Sequence, residues 1–252
     1  MSQKRLPPLA PDWAMFLDID GTLLEHAERP DAVRVGKPAL QLLEALLRGT
    51  DGALALISGR SVADIDGLFA PLKLPAAGQH GAERRGSAGH LHHHRFLARR
   101  LQRAAVCIEE ITARHCGLLL ENKGSSLALH YRLAPGSAAV ARVALYRVAA
   151  QLGSEFEVLE GKMVVELKPT GRDKGRAIEE FMAEPPFSGR KPIFIGDDRT
   201  DEFGFVAVNR LGGRSIKVGP GASAAHHRIA DAAGVRDWLA TWAARFVTDG
   251  AA

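Results

Sequence analysis

The chain has 252 residues, 46% of them hydrophobic and 25% charged, with a formal net charge of +4. That length and balance suit a soluble α/β domain carrying a smaller module, and they exclude a disordered or fibrous chain. No apolar run approaches the roughly 20 residues of a membrane span. No continuous apolar stretch marks a secretory leader, so a cytoplasmic protein without membrane contact is expected. The basic residues are scattered rather than interleaved with aromatics, which argues against nucleic acid and suits an anionic small molecule. Cys107 and Cys116 have no ligand-spaced companions and are expected as free, buried thiols in a reducing compartment.

Met15–Asp20 reads as a strand, and Val35–Leu47 has helical periodicity that stops at Gly49. Ala53–Ile57 is a short buried-type strand, followed by Ser-Gly-Arg and a helical stretch, Val62–Leu68. Strand alternating with helix in this way signals a mainly parallel sheet covered on both faces. "HLHHH" (His90–His94) has the composition of a metal tract, but reads more simply as an exposed loop or strand.

The pattern then changes. Leu97–Arg114 is helical, Leu118–Asn122 and Leu127–Arg132 form a hairpin around Lys123-Gly124, and Pro135-Gly136 breaks the chain. Ser137–Leu152 is again helical, with Phe156–Glu160 and Met163–Lys168 pairing around Gly161-Lys162. This αββαββ order predicts one antiparallel sheet with helices on one face, inserted at residues 95–169. The core is expected at residues 1–94 and 170–252. Its second half holds a helix Lys174–Met182, a strand Pro192–Ile195, a helix near Glu202–Val208, a strand Ser215–Val218 and a closing helix Val235–Phe246. "AAHHRIADAAGV" reads as a loop before that last helix.

Parallel strands in open α/β sheets deliver functional residues at their carboxyl ends. Four segments fall there: Asp18-Ile19-Asp20-Gly21-Thr22, Ser58-Gly59-Arg60, the helix start at Lys174, and Gly196-Asp197-Asp198-Arg199-Thr200-Asp201-Glu202. Acids gathered in one crevice repel each other unless a cation joins them, and hard oxygen ligands favour Mg²⁺. A magnesium ion holding a phosphate is the expectation. Asp18 and Asp20, two apart at a strand end, can face one crevice while Ile19 enters the core.

These ordered segments resemble the four motifs of the haloacid dehalogenase superfamily. The resemblance implies a Rossmann-like core and a phosphotransferase working through a phosphoaspartate. Asp18 would be the nucleophile and Asp20 the proton donor and acceptor, with Lys174 balancing charge. The metal would be held by the Asp18 carboxylate, the Asp20 main-chain carbonyl and Asp197, with Asp198 and Asp201 as further candidates. Gly21, Ser58, Gly59 and Lys174 would hold the phosphoryl group.

The αββαββ insert resembles the C2B-type cap of sugar-phosphate phosphatases. "GQHGAE" (Gly78–Glu83), "ENKGSSLALHYR" (Glu121–Arg132), "EGKMVVELKP" (Glu160–Pro169), "DKGRAI" (Asp173–Ile178) and "GDDRTDE" (Gly196–Glu202) are similar to stretches of the trehalose-6-phosphate phosphatase family. That family implies hydrolysis of trehalose 6-phosphate to trehalose and inorganic phosphate, the closing step of trehalose biosynthesis. A disaccharide offers many hydroxyls and no charge beyond its phosphate, so carboxylates and lysines in the cap suit it. Lys123, Lys162 and Glu166 are the leading sugar contacts, then Glu121 and His130, with Gln79 and His80 on the loop after Gly78. Other sugar phosphates, of the sucrose 6-phosphate or mannosyl-3-phosphoglycerate kind, are the enzymatic alternative, and a non-catalytic sugar-phosphate-binding domain is the remaining one. The expected partner is the small-molecule substrate; the sequence leaves the oligomeric state open and is compatible with a monomer.

Overall fold

The computed structural model describes residues 6–8, 10, 12–26, 33–93, 98–161 and 163–249. The chain divides into two compact units, residues 1–92 with 173–252 and residues 93–172.

In the first unit, β1 (Trp13–Leu17) lies at the centre of an eight-stranded sheet. It is flanked by β2 (Leu54–Ile57) and, in chain order much later, β10 (Lys191–Gly196), both parallel to it. Beyond β10 come β11 (Arg214–Val218) and β12 (His227–Ile229), also parallel. Beyond β2 come β3 (Ala76–Gly78), parallel, then β4 (Glu83–Arg85), antiparallel, and β5 (Leu91–His93) at the edge. The alternation of side chains along a strand sorts the central residues into two cores. Met15, Leu17, Leu54, Leu56, Ile193 and Ile195 join one cluster with α1 (Lys37–Gly49), α2 (Val62–Phe69) and α7 (Ala232–Asp249). Phe16, Ala55, Ile57 and Phe194 join the other with α5 (Lys174–Met182) and α6 (Asp201–Arg210). Burial on both faces explains why these strands read as continuous apolar runs.

Details of this unit depart from the sequence expectation. The central strand ends at Leu17, so Asp18 and Asp20 stand on a loop beyond it rather than on the strand. The stretch expected as a loop before the last helix contains β12, a three-residue edge strand too short to show an alternation.

The second unit contains α3 (Ala98–Thr112), β6 (Leu119–Asn122), β7 (Leu127–His130), α4 (Ala138–Leu152), β8 (Phe156–Gly161) and β9 (Val164–Pro169). Its four strands form an antiparallel sheet in the order β6-β7-β9-β8. Leu127, Leu129, Val165 and Leu167 point to one face and pack with Leu101, Ala104, Ile108, Ala141, Leu145 and Val148 of the two helices. The opposite face carries Glu121, His130, Glu166 and Lys168, as period-two alternation requires. Cys107 and Cys116 are free but exposed, not buried as expected. Cys107 lies off the Leu101/Ala104/Ala105/Ile108 stripe that faces the sheet.

Among the described residues no helix is long and apolar enough to cross a membrane.

Candidate active site

The loop after β1 is closed by its own backbone. The Ile19 carbonyl accepts the amides of Thr22, Leu23 and Leu24, and the Gly21 amide donates to Leu24 O at 2.7 Å. Ile19, wholly buried, anchors this turn in the core. Gly21 adopts φ +82°, and a Cβ there would stand 2.4 Å from Asp197 Oδ2. Only glycine lets the backbone come this close to a carboxylate of the neighbouring strand end.

Asp18 is buried, and its two oxygens have separate partners. Thr22 Oγ1 donates to Oδ2 at 3.1 Å and Lys174 Nζ donates to Oδ1 at 2.7 Å. Lys174 is the first residue of α5, whose N-cap Asp173 accepts the Arg176 amide at 2.8 Å. The same ammonium donates to Asp201 Oδ1 at 2.6 Å. Asp201 opens α6, and its Oδ2 accepts the amides of Asp197 (2.8 Å) and Asp198 (2.9 Å). Gly196 permits this, since a Cβ there would meet Asp201 Cγ at 2.3 Å. Asp198 turns into its own loop, where Oδ1 accepts Thr200 N and Thr200 Oγ1 at 2.7 and 2.6 Å. Asp197 Oδ2 lies 2.9 Å from His26 Nε2.

Carboxylate oxygens of Asp18, Asp197 and Asp201 thus come within 4.8 Å of one another. Burial pushes the Asp18 carboxyl well above its ordinary range, against the pull of Lys174, and Asp201 and Asp197 push it further. Burial likewise raises Asp201 to about 7, opposed by Lys174 and reinforced by Asp198. Burial disfavours the Lys174 charge, but Asp18 and Asp201 outweigh it and hold the ammonium charged well above its usual range. Burial would raise Asp198 too, yet Lys174 and the Thr200 hydrogen bonds bring it down to about 2. One buried lysine therefore faces more carboxylates than it can neutralise. This surplus of hard oxygen ligands fits a divalent cation. The His90–His93 residues form no such group among the described residues, and His94 lies outside them.

Ser58 follows β2 and is buried, its Oγ accepting the Arg60 amide at 3.1 Å. Asp20 is held apart from the carboxylate cluster: Arg60 donates Nε to Oδ2 at 2.7 Å and Nη2 to Oδ1 at 2.6 Å. Gln79 and His80 are both buried and both left-handed, with φ of 47° and 55°. Gln79 Nε2 donates to Glu83 Oε1 at 2.6 Å, and the His80 ring lies against Gly59, where a Cβ would stand 2.9 Å from it.

In the second unit, Glu166 Oε1 accepts Ser126 Oγ at 2.8 Å and faces Lys123 Nζ at 3.5 Å. His130 Nε2 meets Glu121 Oε2 at 2.8 Å. Burial favours a raised Glu121 carboxyl, but the His130 hydrogen bond and the Lys123 charge outweigh it and lower it. Lys168 is bonded to Glu157 at 2.5 Å and to the Arg172 carbonyl. Lys162 lies outside the described residues. Sequence reasoning did not single out Arg60, Thr22, His26 or Ser126 as partners of the acids. Arg60, Thr22 and Ser126 stand within the quoted stretches, so adjacency was the available signal; His26 had none.

A family model described as trehalose-phosphatase matches residues 16–233. A trehalose-6-phosphate phosphatase from Escherichia coli (strain K12) is 45% identical over 233 residues, covering 92% of this chain and 87% of its own. The crystal structure of a trehalose-6-phosphate phosphatase related protein matches with a TM-score of 0.79 at 28% identity, over 93% of this chain and 99% of that one. A haloacid dehalogenase-like hydrolase from B. subtilis, at 14% identity and a TM-score of 0.64, shares the fold over 90% of this chain and 99% of its own.

Proposed function

The chain belongs to the trehalose-phosphatase family, and on that premise we propose that it hydrolyses trehalose 6-phosphate through a phosphoaspartyl enzyme formed on Asp18. It is a phosphoric monoester hydrolase on a Rossmann-like core of the haloacid dehalogenase kind. The observation that carries the mechanism is the buried Asp18 carboxylate, oriented by Thr22 and Lys174 beside Asp197 and Asp201.

In this reading an Asp18 oxygen attacks phosphorus while the sugar oxygen departs in line, and Asp20 gives that oxygen its proton. Asp20 then takes a proton from the water that cleaves the acyl phosphate. Mg²⁺ would be held by Asp18, the Asp20 carbonyl and Asp197, with Asp201 beside them. When bound, it offsets the repulsion between a carboxylate and a phosphate dianion. Lys174, Ser58 and the amide of Gly59 would stabilise charge on the transferring group; the Gly21 amide, expected beside them from the sequence, is already engaged by Leu24 O. Asp201 organises rather than opens the site, since both its oxygens are already engaged by Lys174 and two amides. Gln79 holds Glu83 and His80 backs Gly59, beneath the phosphate-binding loop.

Residues 93–172 act in this reading as the specificity cap. Glu121, Lys123, His130 and Glu166 share its polar face and suit sugar hydroxyls, with Lys162 completing the set. The two free thiols fit a reducing cytosol.

The test is phosphate release from trehalose 6-phosphate, sucrose 6-phosphate and mannosyl-3-phosphoglycerate with Mg²⁺ and with chelator. Turnover of the trehalose ester is expected to dominate, to need the cation and to vanish in Asp18→Asn. Borohydride added during turnover is expected to reduce the acyl phosphate and mark position 18. Preference for another ester overturns the substrate, and label elsewhere overturns the nucleophile.

A further inference from the structure

Asp20 is gripped at both oxygens by one guanidinium, the fork-on-carboxylate geometry that fixes the plane of the acid as well as its position. The root of that fork is itself immobilised. The Arg60 amide donates to Ser58 Oγ at 3.1 Å, and its carbonyl accepts the Gln79 amide at 2.8 Å. The next residue, Ser61, is the N-cap of α2 in a reciprocal capping box with Asp64. The Arg60 side chain is 14% exposed and the Asp20 side chain 32%. A pair so near solvent contributes little to stability, so two short bonds on a fixed backbone point to control of orientation instead. Lysine, with a single point charge, could not hold the plane.

We propose that Arg60 is the positioning residue for Asp20, setting its carboxyl toward the bridging oxygen of the bound ester. The inference rests on the role given to Asp20 above. In the first step the phosphorus–sugar oxygen bond breaks and the Asp18–phosphorus bond forms. The proton of Asp20 passes to the departing oxygen in the same step. In the second, water bonds to phosphorus, the Asp18–phosphorus bond breaks, and the water proton returns to Asp20. A displacement of about 1 Å in such a group costs on the order of 100-fold in rate.

The experiment compares trehalose 6-phosphate with 4-nitrophenyl phosphate, whose leaving group departs without needing a proton, in the wild type, Arg60→Ala, Arg60→Lys and Asp20→Asn. Arg60→Ala is expected to lose at least about tenfold more kcat/KM on the sugar ester than on the aryl ester, since kcat/KM reports transfer to Asp18 and not the hydrolysis that both esters share. Asp20→Asn is expected to show the same bias more strongly, and Arg60→Lys to recover only part of the loss. Guanidinium ion added to Arg60→Ala is expected to restore sugar-ester turnover, and ammonium ion is not. Equal losses on both esters overturn the positioning role while a biased Asp20→Asn leaves the mechanism standing. An unbiased Asp20→Asn removes the role of Asp20 and this proposal with it.

Discussion

Lys174 Nζ lies 2.7 Å from Asp18 Oδ1, although 156 residues separate the two along the chain. Both side chains are almost wholly buried, and the same ammonium reaches Asp201 at 2.6 Å. Removing one partner from such a pair leaves an uncompensated buried charge, which costs about 3–5 kcal/mol. Lys174→Met is therefore expected to be inactive and destabilised by about that amount in urea denaturation with chelator present. Unchanged stability would show that the carboxylates are neutralised by something other than this lysine.

The cluster also makes a pH prediction. Asp201 sits at about 7 in the folded chain against an ordinary 3.8, and Asp18 shifts in the same direction. Between those values the unfolded carboxyl has lost its proton while the folded one retains it. Their contribution to stability is accordingly fully present at the acid end of the window and is lost as pH rises through it. A divalent cation held by these carboxylates would take the place of the retained proton, so it would bind with proton release and more tightly at higher pH. Mg²⁺ is expected to raise the Tm more at pH 8 than at pH 5. Equal increments would sink this account of the cluster.

Gly21 stands where a Cβ would press on Asp197 at 2.4 Å, at a positive φ of 82°. Gly21→Ala is expected to cost about 1–3 kcal/mol of stability through backbone strain. By displacing Asp197 it should also raise the Mg²⁺ concentration needed for half-maximal activity. Wild-type metal dependence in a folded Gly21→Ala protein would remove Asp197 from the ligand set.

Glu166 accepts the Ser126 hydroxyl and faces Lys123 in the polar face of the second unit. Glu166→Gln keeps the shape and deletes the charge that this ammonium meets. A hydrogen bond to a charged group contributes about 1.5–3 kcal/mol, so kcat/KM for trehalose 6-phosphate is expected to fall roughly 10- to 100-fold. The loss on 4-nitrophenyl phosphate is expected to be much smaller. Losses of the same size on both esters would take Glu166 out of sugar recognition.

The chain pattern carried the architecture because its signals are local. Doubly buried strands such as Met15–Leu17 and Leu54–Ile57 are unbroken apolar runs, and the second unit alternates apolar and polar residues, as in Val165-Glu166-Leu167-Lys168. The acids, the lysine and the glycines were equally legible, since each follows a strand or opens a helix. Short strands were not: β3, β4 and β12 are three residues each, below the length at which a period shows, and β5, equally short, was left between loop and strand. Nor did spacing distinguish Asp198 from Asp201. They stand three residues apart in one motif, yet one carboxylate folds back on Thr200 and the other reaches Lys174. The grip of Arg60 on Asp20, the left-handed pair Gln79-His80 and the surface exposure of Cys107 were likewise set by tertiary structure. Residue type and periodicity decide which groups are present and which face they share. Which donor meets which acceptor depends on where strand ends distant in sequence are brought side by side, and only the folded chain fixes that.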